Sequence, residues 1–232
     1  FEDIMKKSII ILFAILILFG IFKSGLSGAQ LSPGTICSTY DDFSSGSLDL
    51  NKWNENTLMN YLDEHFVSNG VYHTQQLNPR DADVVLTLTR TFNPGETLEH
   101  EVNYVSGTGN QQFQYMFNDA TWSGGYAWLE SCTTPSPGCN GIGYWNGVTD
   151  VGMQNGIYTR KLEFFEDRIF VTTTRPDGSI ITHTAIDDGS GNLVPPYTVR
   201  LIPHTGHNGI THFDFDDFKV CRTPSAREEV MD

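Results

Sequence analysis

The chain has 232 residues, a formal charge of −14 at pH 7, and only 14 Lys and Arg against 28 Asp and Glu. Such a surface repels phosphate backbones, which excludes nucleic acid as a partner. Four cysteines form an even set, and their spacing lacks the CxxC pairs of a zinc site.

Met5-Lys6-Lys7 is a short basic start to an apolar run, Ile9 to Phe22, interrupted by one glycine. The run has the length of a signal-peptide core and falls short of the roughly 20 residues that span a bilayer. Ser27-Gly28-Ala29 puts small residues where signal peptidase cuts, so the expected mature start lies near Gln30. Residues 1–4 precede a natural initiator. The expectation is residues 1–29 as signal peptide, 30–222 as one domain and 223–232 as a polar tail. The mature chain is secreted or held at the cell surface, without a membrane span.

After the signal, strand patterns dominate: short alternating runs separated by Gly, Asn, Asp and Pro. Strands are expected at 36–43, 66–77, 83–92, 97–106, 111–118, 125–131, 157–166, 167–174, 179–185, 197–203 and 210–221. A short helical alternative spans Leu58 to Phe66. Glu166-Asp167 and Arg175-Pro176-Asp177-Gly178 are expected hairpin tips. In LEHEVNYV, Leu98, His100, Val102 and Tyr104 share a face, opposite Glu99, Glu101 and Asn103. In GYAWLES, Tyr126, Trp128 and Glu130 share one. In FDFDDFKV, Phe213 and Phe215 oppose Asp214 and Asp216. One dry face and one polar, aromatic face is the expected pattern of a curved sheet over a cleft. Cys132 and Cys139 bracket the loop TTPSPG, so a local staple is expected there, which leaves Cys37 and Cys221 to join the first and last strands.

The stretch YDDFSSGSLDLNKWNE resembles the opening strand and turn of concanavalin A-like lectin/glucanase domains, including family 16 glycoside hydrolases. FDFDDFKV resembles their closing strand, and KLEFFEDRIFVTTTRPDGS is similar to their internal hairpin. The resemblance implies an all-β jelly-roll sandwich of two curved antiparallel sheets, with Trp53 in its core. It also implies where catalysis would sit, on one strand of the concave sheet carrying three alternating carboxylates. This chain has no such triplet. Aligned in chain order, Tyr126 falls at the nucleophile, Trp128 at the helper Asp and Glu130 at the acid/base. One carboxylate cannot both attack the sugar and protonate the leaving group.

The expected task is therefore non-catalytic recognition of an extracellular polysaccharide or glycan. Trp122, Tyr126, Trp128 and Trp145 would stack on sugar rings, and Glu99, Glu101, Asn103, Gln114 and Glu130 would take hydroxyls. The alternatives are a glycoside hydrolase or polysaccharide lyase pairing Glu130 with Glu99 or Glu101, and a structural or adhesive surface module. Asp41, Asp42, Asp216 and Asp217, on strands expected to be neighbours, are the candidate ligands of a structural calcium ion. The seven histidines are scattered through the sequence without a catalytic pattern.

Overall fold

A computed structural model describes residues 35–58, 60–108, 111–118, 128–132, 148–151, 153–186, 193–205 and 209–223. Among these residues the regular structure is all strand. β1 is Ile36–Asp41, β2 Trp53–Asn56, β3 Glu64–Ser68, β4 Val71–Gln76, β5 Ala82–Asp83, β6 Val85–Leu88, β7 Glu96–Thr108 and β8 Gln111–Phe117. Then follow β9 Trp128–Cys132, β10 Val148–Val151, β11 Gly156–Phe164, β12 Arg168–Thr174, β13 Ile180–Ile186, β14 Val199–Thr205 and β15 Ile210–Arg222.

The strands form two sheets. The first, of eight strands, runs β13-β12-β11-β7-β15-β4-β3, with β1 also on β15. β15 pairs with β7 from Ile210↔Thr108 to Arg222↔Glu96. Its other edge takes β4 at residues 211–215 and β1 at residues 218–222. The second sheet, of seven strands, runs β10-β9-β8-β14-β6-β2, with β5 on β14. All pairings named are antiparallel except β10 with β9. The fold is the concanavalin A-like jelly roll implied by the opening and closing strands.

Alternation decides which faces meet. Leu98, Val102 and Tyr104 of β7 enter the core beside Phe213 and Phe215 of β15, and Phe113, Tyr115 and Phe117 of β8 meet them from the other sheet. The residues between them on β7, Glu99, Glu101 and Asn103, therefore point away from the second sheet. Trp53 is in the core as expected, 1% exposed, with its ring against Phe43 and Phe218.

Several polar contacts also cross the sandwich. Trp53 Nε1 donates to Asp41 Oδ2 at 2.7 Å, and Tyr72 O–H donates to Glu55 Oε2 at 2.7 Å. His100 Nε2 lies 2.6 Å from the Tyr115 hydroxyl. Satisfied in this way, buried polar groups fix the two sheets in one register instead of merely pressing them together.

Both expected hairpins are present. Phe165 N–H donates to Arg168 O around Glu166-Asp167, and Arg175 N–H donates to Ser179 O around Pro176-Asp177-Gly178. Elsewhere the pattern needs correction. The run 66–77 is two strands, because Asn69 and Gly70 both take positive φ (51° and 77°) and turn β3 back on β4. An Asn-Gly pair does this readily, since both residues tolerate the left-handed region. The helical alternative at Leu58 to Phe66 is overruled: Glu64 to Phe66 lie in β3, where they pair with β4. β2 and β10 are strands that the pattern did not single out.

The chain ends of the domain are stapled. Cys37 and Cys221 form a disulfide across a directly paired rung of β1 and β15, as expected. Cys139, the expected partner of Cys132, lies outside the described residues. Among the described residues, no helix is long and apolar enough to cross a membrane.

Candidate functional site

The expected binding residues divide between the two sheets. β9 sits between β8 and β10 in the second sheet, with Glu130 paired to Gln114 on one side and to Thr149 on the other. Trp128 pairs with Met116. Trp122, Tyr126 and Trp145 lie outside the described residues. Glu99, Glu101 and Asn103 belong to the first sheet and face away from its partner, so they are not brought together with Glu130. The reason is that β7 turns its even-numbered residues into the core, which commits the odd-numbered ones to the opposite surface.

On β8 the expected cleft floor is covered. Phe113, Tyr115 and Phe117 face the core, yet Gln112, Gln114 and Met116 on the other face are buried as well. Ile202 and His204 of β14, the cross-strand partners of Gln114 and Gln112, are likewise buried. Gln114 Nε2 donates to Gln112 Oε1 at 2.6 Å. Gln114 is thus held by its neighbour, not presented to solvent as expected. His204, one of the histidines scattered through the sequence, is a buried strand residue.

The outer face of the first sheet carries a different constellation. Asp214 of β15 is directly paired with His73 of β4 on one side and Asn103 of β7 on the other. His73 Nδ1 lies 2.7 Å from Asp214 Oδ1, and His212 Nε2 lies 2.9 Å from the same oxygen. Asn103 Nδ2 donates to Asp214 Oδ2 at 3.3 Å. His73 Nε2 lies 3.2 Å from the carbonyl oxygen of Ser68. These side chains are partly exposed, at 22% for His73, 24% for His212 and 16% for Asp214. Phe66, paired with His73 and ring to ring with it at 5.3 Å, forms an exposed apolar wall beside them.

The four aspartates expected to share a calcium ion have other engagements. Asp41 is buried, accepting from the Trp53 indole and from Phe43 N–H at 3.0 Å. Hydrogen bonds from Ser44, its side chain first and its N–H second, lower the Asp42 pKa, and Asp217 is bound by Lys219 Nζ at 2.5 Å. Asp216 accepts from the Asp217 N–H. Burial, with the charges of Asp217 and Asp42 added, pushes its carboxyl above the ordinary range. Among the described residues, the group whose ligating side-chain atoms converge within 4.8 Å is His73, His212 and Asp214, not these four. β1 and β15 are neighbours as expected, but the alternation that buries Asp41 separates it from Asp216.

No family model matches the sequence, and no curated protein matches it. Solved structures do match in fold. SCLam, a non-specific endo-β-1,3(4)-glucanase of family GH16, superposes with a TM-score of 0.52 at 13% identity, over 84% of this chain and 93% of the glucanase. The seed lectin of Lotus tetragonolobus gives 0.52 at 10% identity, over 82% of this chain and 99% of the lectin. Peanut lectin gives 0.51 at 11% identity, over 83% and 99%. The protein has the fold of the concanavalin A-like lectin/glucanase superfamily, an architecture that these lectins and this glucanase share.

Proposed function

We propose that the protein is a secreted or surface-retained, non-catalytic carbohydrate-binding domain for an extracellular polysaccharide or glycan. Its binding region is the part of the second sheet around β9, together with the aromatic segment holding Trp122, Tyr126, Trp128 and Trp145. The observation that carries this reading over hydrolysis is that, among the described residues, the strand partners of Glu130 carry no carboxylate. Its cross-strand partners are Gln114 and Thr149, and its next-but-one neighbours on β9 are Trp128 and Cys132. A retaining glycosidase needs a second carboxyl group about 5–5.5 Å from the first. Glu99 and Glu101, the sequence's other candidates, point away from the second sheet.

Support for a glycan ligand comes from the superfamily fold and from the density of indole and phenol rings between residues 122 and 145. Support for export comes from the apolar N-terminal run with its small-residue cleavage pattern, and from the Cys37–Cys221 disulfide. Of the four expected calcium ligands, Asp42 and Asp216 are near enough for the charge of Asp42 to raise the Asp216 carboxyl, and they are the pair that would hold such an ion.

The test is a screen of the chain from Gln30 onward against a polysaccharide panel, scoring retention and reducing-end release together, with and without chelator. Retention that falls at least about tenfold in Trp128→Ala, with no release, is the expected result; one lost stacking contact is worth on the order of 1 kcal/mol or more. Release that disappears in Glu130→Gln makes the protein a hydrolase and overturns the reading. No retention on any glycan overturns it in favour of a structural or adhesive module.

A further inference from the structure

We propose that His73 Nδ1, His212 Nε2 and a carboxylate oxygen of Asp214 form a binding site for a divalent transition metal, zinc being the ion that the donor set favours. The site lies on the outer face of the eight-stranded sheet and is independent of any ligand on the other sheet.

The argument begins with protons. His73 Nε2 faces the Ser68 carbonyl, which can only accept, so that nitrogen carries the hydrogen. In a neutral ring Nδ1 is then the lone-pair nitrogen, and it points at a carboxylate oxygen 2.7 Å away, also a lone-pair bearer. His212 Nε2 approaches the same oxygen at 2.9 Å. A neutral His212 can donate its Nε2–H to that oxygen, but His73, whose Nε2–H is spent on Ser68, needs positive charge between its Nδ1 and the carboxylate. Extra protons on the rings supply it, or one cation does.

The surroundings are built as metal sites are built. A ligating histidine characteristically donates its other ring N–H to a carbonyl, as His73 does, and a ligating carboxylate has its second oxygen held, as Asn103 holds Asp214 Oδ2. All the ligand-bearing strands are hydrogen-bonded neighbours inside one sheet, so the geometry does not depend on a loop. Phe66 screens one side. Glu101, which pairs with Asp216 two positions further along β15, adds negative field on the same surface.

The donor set selects the ion. Two imidazole nitrogens and one carboxylate oxygen suit zinc and its neighbours, whereas calcium takes six to eight oxygens. Tetrahedral zinc with bonds of about 2.0 Å sets its donors about 3.3 Å apart. The two nitrogen–oxygen contacts must open by about half an ångström and the two ring nitrogens, within 4.8 Å of each other, must settle at the same spacing, movements that partly exposed side chains can make. Three protein ligands leave the fourth position to water, on a face open to solvent.

Isothermal titration of the tag-free, chelator-stripped chain tests the site. The expected result is one Zn²⁺ per chain, bound at least about 100-fold more tightly than Ca²⁺, with a rise in thermal midpoint. His73→Gln and His212→Gln, near-isosteric changes at a solvent-facing surface, abolish stoichiometric binding. Asn103→Ala leaves the ligands in place and weakens binding about tenfold. In the unaltered chain Co²⁺ gives the intense visible absorption of a low-coordinate ion, a readout that needs no variant to fold. Absence of stoichiometric Zn²⁺ binding, equal affinity for Ca²⁺, undiminished binding in His212→Gln, or a Co²⁺ spectrum like that of the aqueous ion each overturns the proposal. A protonated hydrogen-bonded ladder would then be all that the three residues form.

Discussion

His100 shows how much a single core position can ask of a sequence. Its ring lies flat on Phe218, centroids 4.5 Å apart, with Nε2 on the Tyr115 hydroxyl and Nδ1 on the Glu101 carbonyl side. Burial pushes its pKa down from 6.5 to about 3. Between those values the unfolded chain binds a proton that the folded chain refuses, so stability is fully present above about pH 6.5 and declines as pH falls toward 3. Urea midpoints measured from pH 7 to pH 4 are expected to fall, and the slope to flatten in His100→Gln; an unchanged slope would place the acid sensitivity elsewhere. That His100 faces inward was legible, because β7 alternates cleanly with Leu98, Val102 and Tyr104. Its partnership with Tyr115 was not, since nothing in a one-dimensional pattern says which hydroxyl waits across the sandwich. The same limit hid the histidine cluster. His73 and Asp214 are 141 residues apart, and only the pairing of β4 with β15 makes them neighbours. A His-x-Asp spacing on a strand, His212-x-Asp214, was the one local sign of it.

At the scale of elements, the short connections carry more order than their composition suggests. After β4 the chain turns around Asp63, whose Oδ2 accepts from the N–H groups of Leu77 and Asn78 and from the Gln76 and Asn78 side-chain amides. Oδ1 accepts from Arg80 at 2.7 Å. Desolvation raises the carboxyl's pKa, but the hydrogen bonds outweigh it, leaving the group below its ordinary value. Asp63→Ala is expected to cost about 2–3 kcal/mol, as removal of a charged acceptor shared by several donors does. Urea unfolding reads the loss, and faster hydrogen exchange at Leu77 and Asn78 would locate it; exchange that stays slow there would refute the assignment. Strand identity was legible where alternation was strict, as in β7, β11, β12 and β15. It failed at 66–77, where the inward face passes from Val67 on β3 to Tyr72 on β4 across the Asn69-Gly70 turn, a change of phase that a single run of apolar and polar residues does not announce. β2 is four residues long, and such a strand leaves little room for alternation to register.

For the whole molecule, the sandwich architecture could be inferred from its ends, because the opening and closing stretches pair as β1 and β15. The allocation of residues to the two sheets could not. Glu99, Glu101 and Glu130 look like one site along the sequence, and β7 and β9 carry them into different layers. The Cys37–Cys221 bond spans 184 residues. Chain-entropy reasoning gives such a closure about 5 kcal/mol of stabilisation, a large part of the 5–15 kcal/mol typical of a domain. Replacing both cysteines by serine is expected to lower the denaturant midpoint accordingly, with the m-value showing any change in the unfolded ensemble. A loss under about 1 kcal/mol would mean that the pairing of β1 with β15 and the Asp41–Trp53 contact hold that edge unaided.

The strand order also sets a timetable. β14 joins β8 to β6 in one sheet, and β15 joins β7 to β4 in the other. Of the described strands, the two made latest during synthesis are thus the two that unite each sheet's halves. Until residues 199–222 have left the ribosome, neither sheet has a middle, and the apolar faces of both lack the partner that would bury them. Neither sheet can therefore be joined across its middle as the chain emerges; both wait until β14 and β15 are free.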